Sequence, residues 1–272
     1  MSKAILICAD DYAISEDTSA VIRALLEEGR INATTCLVEP AIWPAEANRL
    51  RSLSERHRGV AVGLHLNLTE PFAAGAAPRP LGWWLRRALV PPAPATVSRT
   101  IEAFRSQWQA FIAAFGRPPD FLDGHQHVQL YGPARVALIA LAREMGFTGW
   151  LRQCETSGPR FLAQRILMDP MSVWLKAEAQ RAELRVNPGF GGLRAFARTE
   201  DLARLWRADL AGMAQGGLLI VHPGAGGSPP GTAAIDGCRQ DEAAALQEGA
   251  VSRALAELGL AFAPDARRPD WR

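Results

Sequence analysis

The sequence predicts an α/β fold: an irregular (β/α) barrel, TIM-barrel-like with about seven strands, built as a single domain over residues 1–272. Three observations predict it. Apolar runs of strand length alternate with stretches of helical periodicity along most of the chain. At 272 residues and 48% apolar composition, the chain has the size and core material of one such barrel. Polar residues also gather where the strand-like runs end: Asp10 and Asp11, His65, the group from Asp123 to His127, Arg152 and His222. The C-terminal strand ends of a barrel meet in one ring, whereas an open sheet lays them out along a line.

The first strand is the apolar run KAILICA (3–9), closed by two aspartates. EDTSAVIRALLEEG (16–29) has helical spacing, acidic residues in its first turn and a glycine stop. INATTCLVEP (31–40) reads as a strand ended by proline, and a second helix fits 44–57. VAVGLHLNLT (60–69) alternates as a strand does. From Pro71 to Ile101 no acidic residue occurs, while prolines, alanines and arginines surround GWWLRRALV. So long a strand-to-helix connection predicts a lid-like insertion at about 71–97. A long helix follows at 98–115, with Phe104, Trp108 and Phe111 on its apolar face. DFLDGHQHVQL reads as the next strand, followed by a helix near 133–145, a strand at 147–154 and a mostly helical region at 160–185. LRVNPGF (184–190), a helix near 199–215, the strand GLLIVHPG (217–224) and a final helix over 241–258 complete the series.

Composition narrows the functions. A net charge of +2 without a lysine-rich tract argues against nucleic acid as the main partner. The N-terminal apolar run stops at Ala9, before two aspartates, which is not a secretory pattern, and no apolar stretch is long enough to cross a bilayer. The four cysteines are scattered and form no C-x-x-C pair, so the expectation is a reduced, cytoplasmic protein.

The candidate chemistry lies in three segments. In LDGHQHVQL, an extended chain would point Asp123, His125 and His127 to one face. GLHLNLT places His65 in a strand, and ADDYA pairs Asp10 with Asp11 at a strand end. One carboxylate and two imidazoles make a three-ligand set that leaves positions open for water and substrate. Adjacent aspartates suit a division of labour, one on a metal and one as base, since two close carboxylates are costly without a cation. The competing reading of Asp10–Asp11 is a helix N-cap. Asp123 either orients His125 or merely forms a turn before Gly124, and Tyr12 either faces substrate or packs. His57, among charges, reads as a solvated helix end.

In register, ADDYA, GLHLNLT, DGHQHVQ, an arginine after the fifth strand and a late HPG resemble the YdjC-like carbohydrate deacetylases, over roughly residues 3–260. That family includes the chitooligosaccharide deacetylase and HpnK, the hopanoid biosynthesis-associated deacetylase. The resemblance implies a barrel that hydrolyses an N-acetyl group on an amino sugar with a divalent metal such as zinc, magnesium or manganese. Carried over by position, it implies Asp11, His65 and His125 as metal ligands and Asp10 as general base. His222 is implied as the acid that protonates the leaving amine, with His127 as its rival or a substrate contact. Arg152 is implied to contact substrate or hold an aspartate. Two departures stand out: Ala13 occupies a position where glycine is common, and Gln129 replaces a histidine. The form DGHQHVQ leans toward the hopanoid branch, whose expected substrate is an N-acetylglucosaminyl glycolipid. Trp83 and Trp84, beside Arg86 and Arg87, are read as substrate contacts, as a surface for an anionic inner membrane face, or as lid packing. A soluble chitooligosaccharide substrate and a non-catalytic sugar- or lipid-binding barrel are the alternatives, and a homodimer is compatible with either. A phosphatase is disfavoured because no clustered phosphate donors adjoin these motifs.

Overall fold

The structure is a computed structural model that describes residues 3–73, 77–156, 162–196, 201–229, 235–269 and 271. Its centre is an all-parallel curled sheet, the barrel-like architecture expected. Strand β1 (Lys3–Tyr12) is buried from Ile5 onward and lies in the middle. On one side come β2 (Ala33–Cys36), β3 (Ala61–Leu66), β4 (Phe121–Gly124), β5 (Trp150–Leu151) and β6 (Arg185–Val186). On the other come β8 (Leu218–Val221) and β7 (Phe190–Gly191). β9 (Leu260–Phe262) pairs with Lys3–Ile5 of β1, below the register that β1 shares with β2 from Cys8 onward. The buried Asn32 carboxamide fills the step there: it accepts from Ile7 N and donates to Ile5 O and Ala263 O.

Except between β6 and β7, the strands are joined through outer helices: α1 (Glu16–Glu27), α2 (Trp43–Arg56), the short α3 (Leu81–Leu85), α4 (Pro94–Phe115), α5 (Gly132–Glu144), α6 (Leu162–Arg181), α7 (Leu202–Ala211), α8 (Asp236–Gln247) and α9 (Ala250–Glu257). Local chemistry sets their ends. Ser15 caps α1, its hydroxyl accepting from Thr18 N, with Glu16 and Asp17 in the positive first turn. Gly116, at φ 84°, stops α4 in the left-handed region. Aromatic rings join neighbouring elements: Trp43 of α2 stacks on Phe111 of α4 at 5.5 Å, and Phe121 of β4 on Trp150 of β5 at 4.3 Å.

Four expectations change. DFLDGHQHVQL is not one strand. β4 ends at Gly124, and His125–Leu130 coil into a tight 3-10 turn in which Gln126 and His127 are left-handed. LRVNPGF splits at Asn187-Pro188-Gly189 into β6 and β7, which stand at opposite ends of the sheet path. The final helix breaks at Gly249 into α8 and α9, and β9 was not expected. Among the described residues, no ladder joins β6 to β7. A bridge from Thr156 to Phe190 spans to β7 instead, and Gln153 and Asn187 exchange reciprocal hydrogen bonds just beyond the paired ends of β5 and β6. No helix among the described residues is long and apolar enough to cross a membrane.

Candidate active site

The C-terminal ends of β1, β3, β4, β5 and β8 bring Asp10, Asp11, His65, Asp123, His125, Arg152 and His222 together. Alternation along β1 would send consecutive aspartates to opposite faces, but Asp11 adopts φ 67° and redirects its side chain. Asp11 Oδ1 lies 2.9 Å from His125 Nδ1 and 3.3 Å from His65 Nε2. Donor atoms of these three buried residues all fall within 4.8 Å of one another. Burial disfavours the charge on Asp11, but His125 and Arg239 outweigh it and hold the carboxyl well below its usual range.

The surrounding contacts fit this trio to a cation. Asp123, fully buried on β4, takes His65 Nδ1 at 2.7 Å and Thr35 Oγ1 at 2.7 Å on the same oxygen. An ionised carboxylate only accepts, so His65 carries its proton on Nδ1 and turns Nε2 toward Asp11. Among the described residues, His125 Nε2 is buried without a hydrogen-bond partner. Two imidazoles and one carboxylate are a donor set for a divalent ion, and they fit one here.

Asp10 has a different environment. Arg152, fully buried, grips both its oxygens at 2.6 Å and reaches Asp123 Oδ2 at 2.6 Å. Burial opposes ionisation of Asp10, yet Arg152 prevails and brings it down to about 2. His222 Nε2 approaches Asp10 Oδ2 at 3.9 Å. The backbone N–H of His222 donates to Glu242 of α8, which also pairs with Arg194. Burial lowers the His222 pKa, so its imidazole is neutral at pH 7. Burial, reinforced by Arg152, pushes His127 down to about 3, and its Nδ1 lies 3.6 Å from Cys154 Sγ.

A cavity of about 450 Å³ opens onto these groups. Asp10, Asp11, His65, His125, His127 and His222 line it, and its other walls are largely apolar: Leu81 and Leu85 of α3, Met168, Leu193, Phe196 and Ile220.

Several expected contacts lie elsewhere. Tyr12 is fully buried, and its hydroxyl donates to Glu46 while accepting from Arg23, so it packs and does not face this cavity. Arg152 is sealed behind the aspartates, so it holds Asp10 and Asp123 and is no lining residue. Trp83 and Trp84 turn away from the site into a separate depression of about 490 Å³. Trp84 anchors the connection through its indole N–H to Leu68 O and Arg79 O, and Arg87 covers the Trp83 ring at 3.9 Å. The α3 residues that do face the site are their neighbours Leu81 and Leu85. Asp123 contacts His65 and not His125, because β4 ends before His125.

The sequence reading missed Arg239 and Glu242. The signal was available: both fall on the stripe of α8 that also buries Cys238, Ala243 and Leu246. Two charges on a buried stripe need internal partners.

The sequence profile of the YdjC-like protein family matches residues 4–257. A chitooligosaccharide deacetylase of Serratia marcescens is 29% identical over 153 residues, covering 54% of this chain and 58% of that protein. One of Klebsiella pneumoniae (strain 342) is 30% identical over 152 residues, with 54% and 58% covered. The chain thus spans under two thirds of the length of these curated relatives. A crystal structure from Enterococcus faecalis V583, of a candidate cellobiose-phosphate cleavage protein, superposes with a TM-score of 0.70 at 19% identity, covering 97% of each chain. That likeness is one of fold.

Proposed function

Because this chain belongs to the YdjC-like protein family, we propose that it is a metal-dependent hydrolase that removes the N-acetyl group from an amino sugar. The observation that carries the reading is the convergence of Asp11, His65 and His125 at the floor of a cavity, with a separately clamped carboxylate beside them. Asp11, His65 and His125 would hold a divalent cation, which supplies Lewis acidity and acidifies a bound water. Zinc, manganese and magnesium are the ions to test.

Asp10 accepts the proton of the attacking water. A carboxylate held down to about 2 is a weak base, so it suits only a water that has already been made acidic. Arg152 keeps Asp10 ionised and aimed. The Asp10 Oδ2 lies 3.9 Å from His222 Nε2, so the proton taken from water passes on to the neutral imidazole, and the imidazolium so formed gives it to the leaving amine. His222 is preferred over His127 as the acid because it adjoins Asp10, whereas His127 is turned to Cys154. The apolar walls exclude water from the developing charges.

Two substrates follow from different observations. The apolar wall of Leu81, Leu85, Leu193 and Phe196 favours a lipid-linked amino sugar, such as an N-acetylglucosaminyl hopanoid. Leu89 and Val90, 63% and 50% exposed beside Arg86, suit contact of the 71–97 lid with the cytoplasmic face of a membrane. The names of the relatives favour chitooligosaccharides. Acetate release measured on both substrates separates them. Release from the glycolipid alone supports the first, release from the oligosaccharide alone the second, and metal-loaded protein that releases acetate from neither overturns the deacetylase reading.

A further inference from the structure

Arg239 is fully buried on α8, outside every segment that carries the proposed chemistry. Its Nη2 lies 2.6 Å from Asp11 Oδ2. The Asp11 carboxylate is therefore divided: Oδ1 faces His65 and His125, and Oδ2 is occupied by the guanidinium. Arg239 cannot easily move aside. Its carbonyl accepts from Gly224 N at 3.1 Å, which ties this point of α8 to the loop that carries His222. Nε approaches Asp236 at 3.9 Å, and Nη1 has no hydrogen-bond partner among the described residues. On the other side, Asp11 is pinned by its own left-handed backbone.

We propose that Arg239 is a positioning residue that confines Asp11 to ligation through one oxygen and keeps the bound cation at high effective charge. The inference rests on the metal reading above. A carboxylate with one oxygen held by a guanidinium can offer a cation only the other. Its negative charge is partly spent on the arginine, so it quenches less of the cation's charge. The fixed positive charge nearby also repels a cation, and this weakens binding. Arg239 thus trades metal affinity for electrophilicity and leaves coordination positions for water and substrate. A purely structural arginine would make the opposite trade: its loss would loosen the site and weaken metal binding.

The test is titration of the metal-stripped protein with cobalt(II), without substrate, followed by visible d–d absorption and calorimetry. In Arg239→Met, Asp11 gains a free second oxygen and an uncompensated charge. Cobalt should bind about tenfold tighter or more, with weaker absorption because a second carboxylate oxygen raises the coordination number. Acetate release should fall about 10–100-fold. Arg239→Lys, which keeps the charge and one N–H donor, should restore an affinity near that of the wild type. Should Arg239→Met fail to fold, Arg239→Gln, which drops the charge but keeps an N–H donor, carries the affinity expectation alone: cobalt should still bind more tightly than in the wild type. Cobalt binding in Arg239→Met that is equal or weaker, with an unchanged spectrum, overturns the proposal and leaves the deacetylase reading standing. Wild-type protein that binds no cobalt overturns both.

Discussion

Asp10 and Asp11 are adjacent in the chain and opposite in their surroundings: one is clamped by Arg152, the other shared among His65, His125 and Arg239. This difference predicts different phenotypes. His65→Ala should abolish retention of the metal, whereas Asp10→Asn should keep it and lower turnover by about 10²–10⁴-fold. Metal analysis of the purified variants checks this, and equal metal loss in both would mean that the two aspartates are wrongly assigned. Ala13 supplies a second residue-scale prediction. It stands at φ 69°, where glycine is common in the family and a Cβ is strained. Ala13→Gly should therefore stabilise the fold by about 0.5–1 kcal/mol, read as a raised denaturation midpoint. Much of the site is legible at this scale, because Asp10, Asp11, His65 and His222 are polar residues at the ends of apolar runs. Arg239 and Glu242 are harder to find, since charges on an amphipathic helix ordinarily read as its solvated face.

At the scale of elements, period-two spacing in DGHQHVQ suggests a strand, and the structure replaces it with a turn. The reason lies in Gly124. A Cβ there would meet Val128 Cγ1 at 2.8 Å and Gln129 N at 3.0 Å, so the chain folds back tightly over a glycine. His125 reaches Asp11 by this reversal, and His127 is sent toward Cys154. Gly124→Ala should then cost about 1–3 kcal/mol in chemical denaturation and also weaken metal binding by displacing His125. An alanine variant with full stability and full metal affinity would show that the turn has room to spare. The prolines that open α2, α4 and α5 were legible as punctuation, but the split of LRVNPGF was not. Asn-Pro-Gly announces a turn, yet which side of the sheet each half joins depends on strands distant in sequence.

For the whole molecule, a curled parallel sheet follows from the alternation of strands and helices, and the convergence of polar strand ends follows from the curl. The irregular seam does not, because an isolated bridge between Thr156 and Phe190, outside the regular ladders, makes it. Asn187 is fully buried beside it, where the chain leaves β6, and exchanges hydrogen bonds with both backbone and side chain of Gln153. Asn187→Ala leaves several of those groups unpaired and should destabilise the fold by about 2–4 kcal/mol, seen as an earlier unfolding transition. The proposed function requires that strands distant in sequence assemble one cation site that serves amide hydrolysis. Its most direct test is acetate release from an N-acetylated amino-sugar substrate before chelation, after it, and after a divalent ion is restored. Release, its loss and its recovery are expected in turn; release that continues undiminished in the fully chelated protein would show that no cation is needed.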